Sequence, residues 1–333
     1  MTRYDRQIKY AHFGQEGQRK LQNLHVIVMG VGALGSGVAE QLVRSGVGRI
    51  TIVDKDIVTL SNLHRQSCYV TADAEAMLPK VVALKQHLNA MNHEVEVVTY
   101  NQEITAQNIL SLLEQVNPDM VLDGMDTFKM RYLLNEATRK LKIPYIYGAV
   151  VGSQVSVLPV HDEGPCLQCI MPEMPETMER CEINGVLPPA VHMACSLIVA
   201  EVFHYIMHGS LTSHMTTIDV YTHKMRTVDV SELKEPDCLV CGQKQYHHLT
   251  QKDSGQVREL CGGVYQFRLP QEIFDAPLKS HVRVGLENPY VKRLMVDVYD
   301  MTLYQDGRLL VYGAESVGVA ETIRESLFIE DDI

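Results

Sequence analysis

Two C-x-x-C pairs, Cys166-Leu167-Gln168-Cys169 and Cys238-Leu239-Val240-Cys241, are the residues most suited to metal chemistry. Four thiolates at that spacing make a closed tetrahedral Zn²⁺ site with no position left for a substrate. Such a site is structural, and it would clip the segment near 166 to the segment near 238. A redox pair is the competing reading, but neither pair lies in a thioredoxin-like strand–helix–strand context. Of the 8 cysteines, Cys68, Cys181, Cys195 and Cys261 are scattered. Cys68, Cys195 and Cys261 are expected to be structural.

A second chemistry is written at Gly30-Val31-Gly32-Ala33-Leu34-Gly35, a G-x-G-x-x-G between an apolar run and a helical pattern. The first glycine permits a tight turn, the second lets backbone approach a phosphate, and the third allows close helix–strand packing. The helix N-terminus adds unpaired N–H groups and the positive end of a dipole. Asp54 follows about 20 residues on, where an acid usually holds a ribose hydroxyl.

The glycine turn alone would suit NAD, and an NAD-dependent oxidoreductase is the distant alternative. The neighbouring residues point elsewhere. Arg65, within Ser61-Asn62-Leu63-His64-Arg65-Gln66, Lys80 after Pro79, and Arg6 are cations that could face one pocket. Hydride transfer requires no such cluster, whereas nucleotidyl transfer does, because charge builds on the leaving pyrophosphate. Asp126 is expected at the carboxyl edge of the sheet, where it suits Mg²⁺ bound together with phosphate oxygens. Convergence of Arg6, Arg65 and Lys80 with Asp126 over a triphosphate is therefore the central expectation.

The elements that must position these groups follow from hydrophobic period. Residues 1–23 are polar and helical. Strands are expected at 25–29, 49–53, 94–100, 120–122 and 145–147, with helices at 35–45, 79–92, 105–116 and 127–141 between them. That alternation predicts an α/β fold, a Rossmann-like doubly wound, mostly parallel sheet. Beyond Gly148 come an extended strand at 150–159, a long loop at 164–189, an apolar helix at 190–208, strands near 216–229 and a cysteine-bearing turn at 236–243. The segment 244–258 reads as a linker. Residues 294–304 and 308–312 alternate around Asp306-Gly307, a good hairpin turn, and a helix at 315–327 closes a small α+β appendix. Two domains are expected, 1–245 with the zinc-clipped substrate lobe and 259–333.

A chain of 333 residues with 46% hydrophobic residues can build such a core. The formal charge of −11, with no Lys/Arg cluster, argues against nucleic acid, whose affinity rests on phosphate neutralisation. The first residues lack a secretory pattern, and residues 190–208 are interrupted by His192, Glu201 and His204. No membrane partner and a cytoplasmic setting are expected. The 14 histidines show no metal spacing, and His64 receives no role. Met171, Met174 and Met178 flank the long loop and read as mobile filler.

Arg3-Tyr4-x-Arg6-Gln7, the Gly30–Ser36 glycine turn, Asp54, the 61–66 motif, Pro79-Lys80, Asp123-x-x-Asp126 with Arg131, and the two C-x-x-C pairs occur in one order. Over about residues 1–245 that order resembles the ThiF/MoeB/HesA family, relatives of the ubiquitin-activating enzymes. The resemblance implies ATP-dependent adenylylation of the C-terminal Gly-Gly carboxylate of a small ubiquitin-like sulfur carrier, with release of pyrophosphate. It also implies a homodimer, Mg²⁺ and structural zinc. By matching positions, Arg6 would reach the ATP phosphates from the partner subunit, and Asp54 would bind ribose. Asn62, Arg65 and Lys80 would contact phosphates, and Asp126 would hold Mg²⁺. A cysteine desulfurase or other sulfur donor is a further implied partner.

Two branches of that family differ in carrier. The appendix at 259–333, beginning Leu260-Cys261-Gly262-Gly263, resembles an extension in some thiazole-branch members. A ThiS-like carrier of thiamin thiazole synthesis is therefore expected, with a MoaD-like carrier of molybdopterin synthesis as the alternative. Cys181 matches a cysteine that forms an acyl persulfide with the carrier in some thiazole-branch members. Its neighbours, Arg180-Cys181-Glu182-Ile183-Asn184-Gly185, depart from the usual Thr-Cys-x-x-Ala-Gly. Arg180 would lower the thiol pKa and Glu182 would raise it, so a catalytic and an inert Cys181 both stay open.

Overall fold

The structure, a computed structural model, describes residues 3–173, 185–251, 257–260 and 263–329. Cys181, Cys261, Met174 and Met178 lie outside the described residues. The chain divides into two units, 1–252 and 253–333.

In chain order the first unit carries α1 (Asp5–Ile8), α2 (Gly14–Asn23), β1 (His25–Met29), α3 (Ala33–Ser45), β2 (Arg49–Asp54), α4 (Thr71–Glu75), α5 (Lys80–Met91) and β3 (Glu96–Asn101). It continues with α6 (Ile109–Val116), β4 (Met120–Asp123), α7 (Phe128–Leu141), β5 (Tyr145–Val151), β6 (Gln154–Val160), α8 (Leu167–Ile170), α9 (Pro188–His208), β7 (His214–Asp219), β8 (Lys224–Asp229) and α10 (His247–Thr250). One sheet runs β3-β2-β1-β4-β5-β6-β7-β8. The pairs from β3 through β5 are parallel, and those from β5 onward are antiparallel. Strand order reverses between β1 and β4, and the crevice at their carboxyl ends is where open α/β sheets bind ligands.

The central strands are covered on both faces, and successive side chains along each point to opposite sides; the edge strand β8 is exposed along its length. Val26 and Val28 pack with α3, α5 and α9 in one apolar cluster. Ile27 and Met29 pack with α6, α7 and the cysteine lobe in another. The helix α9 is long and apolar enough to suit a membrane span by composition. In this fold one face of it, including Ala194, Ile198 and Val202, is buried against α3 and the sheet.

Several expectations shift at their edges. The polar helix expected over 1–23 is two helices, since the chain turns between Ile8 and Gly14, which has φ of +61°. The strands expected at 145–147 and 150–159 form one antiparallel hairpin turning at Gly152, where φ is +60°. Of the linker expected at 244–258, the part up to 251 is anchored: Glu136 of α7 accepts from Leu249 N at 2.9 Å and faces His248 Nδ1 at 2.9 Å.

The second unit holds β9 (Val257–Leu260), β10 (Val264–Arg268), β11 (Arg283–Glu287), β12 (Val291–Val296), β13 (Tyr299–Tyr304), β14 (Arg308–Tyr312) and α11 (Val317–Glu325). Its antiparallel sheet runs β11-β12-β13-β14-β10-β9. Ala320 and Ile323 of α11 pack with Phe267, Met301, Leu303, Leu309 and Val311. The single alternating stretch expected at 294–304 is a hairpin, β12 and β13, broken at Asp297 with φ of +52°.

Candidate active site

The glycine turn lies between β1 and α3, and the close approaches explain its residues. Gly30 has φ of +83°, a conformation that L side chains rarely adopt. A Cβ on Gly35 would collide with the Gly30 carbonyl and lie 3.0 Å from Val28 Cγ1. A Cβ on Gly32 would meet only Gln66 Nε2, at 3.7 Å. Gly32 is thus open space rather than a packing contact. Two substitutions separate these roles. Gly35→Ala is expected to lower unfolding free energy by about 3 kcal/mol, because backbone must move. Gly32→Ala is expected to lower it by less than about 1 kcal/mol. Urea denaturation of both variants checks the contrast.

The segment after β2 seals this turn. Tyr69 Oη donates to Val31 O at 2.7 Å, and Cys68 Sγ to Ser36 O at 3.4 Å. Cys195 Sγ, from α9, donates to Leu34 O at 3.3 Å. Burial pushes the Cys68 thiol well up and the Cys195 thiol up to about 12. Both thiols stay protonated and serve packing. Gln66 is 4% exposed and sits beside Gly32. Its Oε1 is buried with no partner among the described residues. An orphaned acceptor costs about 1–3 kcal/mol unless a ligand or water donates to it. Gln66 stood in the quoted motif without a role; only its place in that motif signalled it.

Asp54 ends β2 and joins the turn directly. Its Oδ2 accepts from Val31 N and its Oδ1 from Asp56 N, each at 2.8 Å. Burial pushes its carboxyl up, against the pull of the Lys80 ammonium. Lys80, at the first turn of α5, is 7% exposed. Its Nζ lies 3.3 Å from Asp56 Oδ2. Burial alone would depress its pKa, but Asp54, Asp56 and Asp126 together hold it above its ordinary value. Lys80 therefore keeps its positive charge through neutral pH.

Asp126 lies in the loop between β4 and α7 and is exposed. No hydrogen bond among the described residues engages its carboxylate, so its oxygens are available to a hard cation. Asn62 and Arg65 lie on the segment that packs against the turn. Arg65 Nη1 donates to Ser61 O at 3.0 Å, and His64 Nδ1 is 3.2 Å from the same carbonyl. Arg6 is placed differently. It is exposed on α1, whose Gln7 Nε2 donates to Ser45 O at 3.0 Å. That is the far end of α3, about 20 Å along the helix from the glycine turn at 1.5 Å per residue. Within one chain, then, Lys80, Asp54, Asp56 and Asp126 come together and Arg6 does not join them.

The cysteine cluster is built from two tight turns. Cys169 N donates to Cys166 O at 3.0 Å, and Gly242 N to Cys238 O at 2.9 Å. The four Sγ atoms of Cys166, Cys169, Cys238 and Cys241 all lie within 4.8 Å of one another. Separations of 3.9, 3.7 and 3.3 Å are too long for disulfides, whose S–S bond is about 2.05 Å. They bracket the edge of about 3.8 Å that a tetrahedron with metal–sulfur bonds of about 2.3 Å requires. Hydrogen bonds from Cys166 and Cys241 hold the Cys169 thiol far below its ordinary value. The cluster could hold a metal ion.

Comparison with known proteins gives the same architecture a lineage. The sulfur carrier protein ThiS adenylyltransferase of Bacillus subtilis is 32% identical over 329 residues, covering 96% of this chain and 97% of that protein. The adenylyltransferase and sulfurtransferase MOCS3 of Culex quinquefasciatus is 34% identical over 247 residues, covering 72% of this chain and 55% of that protein. Among solved structures, E. coli MccB with AMPCPP and MccA superimposes with a TM-score of 0.62 at 25% identity, over 72% of this chain and 74% of that one. The profile of the ThiF family matches residues 4–240, which take in the glycine turn, the Lys80 cluster and three of the four clustered cysteines. On that match and the near full-length relative, this chain belongs to the ThiF family.

Proposed function

We propose that this chain adenylylates the C-terminal Gly-Gly carboxylate of a ubiquitin-like sulfur carrier of the ThiS type, consuming ATP and releasing pyrophosphate. One observation carries the chemistry: a buried, charged Lys80 stands among Asp54, Asp56 and Asp126 beside an open glycine turn. The near full-length relative, which spans the C-terminal unit as well, supports the thiazole-type carrier.

The carrier's carboxylate oxygen attacks the α-phosphorus of ATP. A carboxylate-to-phosphorus bond forms, and the bond from that phosphorus to the pyrophosphate oxygen breaks. The enzyme contributes orientation and charge rather than a covalent intermediate. The N-terminal N–H groups of α3 meet phosphate oxygens across Gly32. Lys80, Asn62 and Arg65 offset charge on the departing pyrophosphate, and Asp54 receives a ribose hydroxyl. Asp126 would hold Mg²⁺, which supplies charge neutralisation on the phosphates. The four cysteines would hold zinc as a structural clip. A homodimer accounts for Arg6: a residue at the far end of its own α3 is free to serve a partner's phosphates. Thiols kept reduced for a metal suit the cytoplasm.

The decisive measurement is mass spectrometry of candidate carriers after incubation with enzyme, ATP and magnesium. An AMP adduct on a ThiS-like carrier, absent when its terminal glycine is removed, is expected. An adduct confined to a MoaD-like carrier would move the substrate to the molybdopterin branch. Reduced nicotinamide binding without ATP binding would overturn the activity altogether. Gly32→Ala, whose methyl enters the phosphate approach, is expected to raise the KM for ATP while the fold persists.

A further inference from the structure

The residue assigned to Mg²⁺ is on a short loop, and the structure shows an elaborate buried network holding that loop. Asp123 ends β4 at 1% exposure. Its Oδ1 accepts from Met125 N at 2.8 Å, and its Oδ2 accepts from Tyr145 Oη at 2.7 Å. Arg131, on α7 at 4% exposure, lies 3.4 Å from Asp123 Oδ2 through Nε. Its Nη2 donates to Met125 O at 2.7 Å and to Gly148 O at 3.2 Å. Its guanidinium carbon also lies 5.3 Å from the ring centroids of Phe128 and of Tyr147.

Met125 is therefore gripped on both sides, its N–H by Asp123 and its carbonyl by Arg131. The carbonyl of Met125 and the N–H of Asp126 share one planar peptide unit. Fixing the first fixes the plane from which Asp126 departs. On the other side, Thr127 caps α7 by accepting from Met130 N at 3.4 Å. Asp126 is thus the one exposed side chain between two pinned residues. A buried Arg–Asp pair is weak evidence for stability, since apolar residues of similar volume often do as well. What an apolar replacement would not reproduce is a directed grip on the Met125 peptide.

We propose that Tyr145, Asp123 and Arg131 are positioning residues that preset Asp126 for its metal ion; the proposal rests on the role given to Asp126 above. Residues holding a ligand's orientation from behind cost roughly tenfold or more in metal affinity when removed. Tyr145→Phe deletes one hydroxyl from a site that keeps its ring, and Arg131→Lys keeps the charge but loses the two-carbonyl grip.

Mn²⁺ binding to the enzyme–ATP complex, read by electron paramagnetic resonance, reports the site without turnover. Both variants are expected to weaken Mn²⁺ binding roughly tenfold, while ATP affinity in its absence is unchanged. Amide hydrogen exchange at 125–127 is expected to quicken, with the rest of β4 and β5 protected. Unmoved Mn²⁺ affinity and unmoved exchange in both variants would overturn the positioning role. Should the wild-type enzyme form no carrier adenylate, the function above falls instead, and the exchange measurement still tests whether the network holds the loop. A variant that melts early is replaced in the comparison by the other, since the two act on different atoms of one network.

Discussion

Lys80→Met is expected to reduce carrier-dependent ATP–pyrophosphate exchange by about 10²–10³-fold, the usual effect of losing one donor aimed at developing charge. Methionine matches the length and volume of the lysine stem, so the variant removes charge rather than packing. Lys80 stays protonated because Asp54, Asp56 and Asp126 outweigh the burial that would discharge it. Its folded pKa is raised, so its contribution is complete below the unfolded value and fades only as pH rises through the higher folded one. Exchange activity should accordingly show no loss from Lys80 between neutral pH and about pH 9.

The stability cost of Lys80→Met should stay below about 3 kcal/mol, the lower end for breaking a buried pair. Asp56 is half-exposed and its charge is screened by water, while Asp54 can take up a proton. Thermal melting alongside the exchange assay separates the two effects. Asp126→Asn gives the cleaner arm, because that side chain is exposed and its replacement should alter stability by no more than about 0.5 kcal/mol. A comparable loss of exchange with an unchanged melt is expected there. A well-folded Lys80→Met enzyme within tenfold of wild type would remove the ammonium from the chemistry.

How much of this was legible depends on where the partners lie along the chain. The glycine turn, Asp54 and the first-layer strands were readable because a local pattern, apolar run then glycine then helix, has a local cause. The β12–β13 turn was not readable, because Val296-Asp297-Val298-Tyr299 continues the alternation across it; only a left-handed Asp297 and an exposed Val298 reveal the break. The two-residue turn at Gly152 hid for a similar reason between apolar flanks. Asp123 and Arg131 stood together in the quoted motif, but the part Tyr145 plays with them was beyond reach for a different reason. Asp123 and Tyr145 are brought together by parallel strands across a whole helix, and no spacing rule relates their positions. Arg6 shows the opposite limit: the resemblance assigned it to a partner's phosphates, but the physical reason, α1 lying at the far end of its own α3, is a tertiary contact that no local pattern records.

Removing metal from the cysteine cluster should loosen one lobe and spare the other half of the site. A purified chain is expected to carry one zinc, measured by atomic emission, and Cys241→Ser to lose it. A metal bound at about 1,000 times its dissociation constant stabilises by about 4 kcal/mol, and at about 2–4 °C per kcal/mol chelation should lower Tm by about 10 °C. The loss is local because of what the cluster joins. Cys166 and Leu167 pack with Val230, Cys238 and Val240 against α7, on the sheet face of Ile27 and Met29. Leu167 N donates to Asn135 Oδ1 at 3.0 Å, and Tyr132 Oη to Met171 O at 2.6 Å, so two hydrogen bonds tie that lobe to α7 besides the packing. The glycine turn and Lys80 belong to the opposite layer, with α3 and α5. ATP affinity should therefore survive chelation while carrier adenylylation falls, and proteolysis should begin within 164–173 or 235–245. A chain free of zinc at full activity, or chelation that leaves Tm in place, would make the four sulfurs a packing cluster. Equal loss of ATP affinity would instead place the clip in the nucleotide half of the site, which the separation of the two apolar layers argues against.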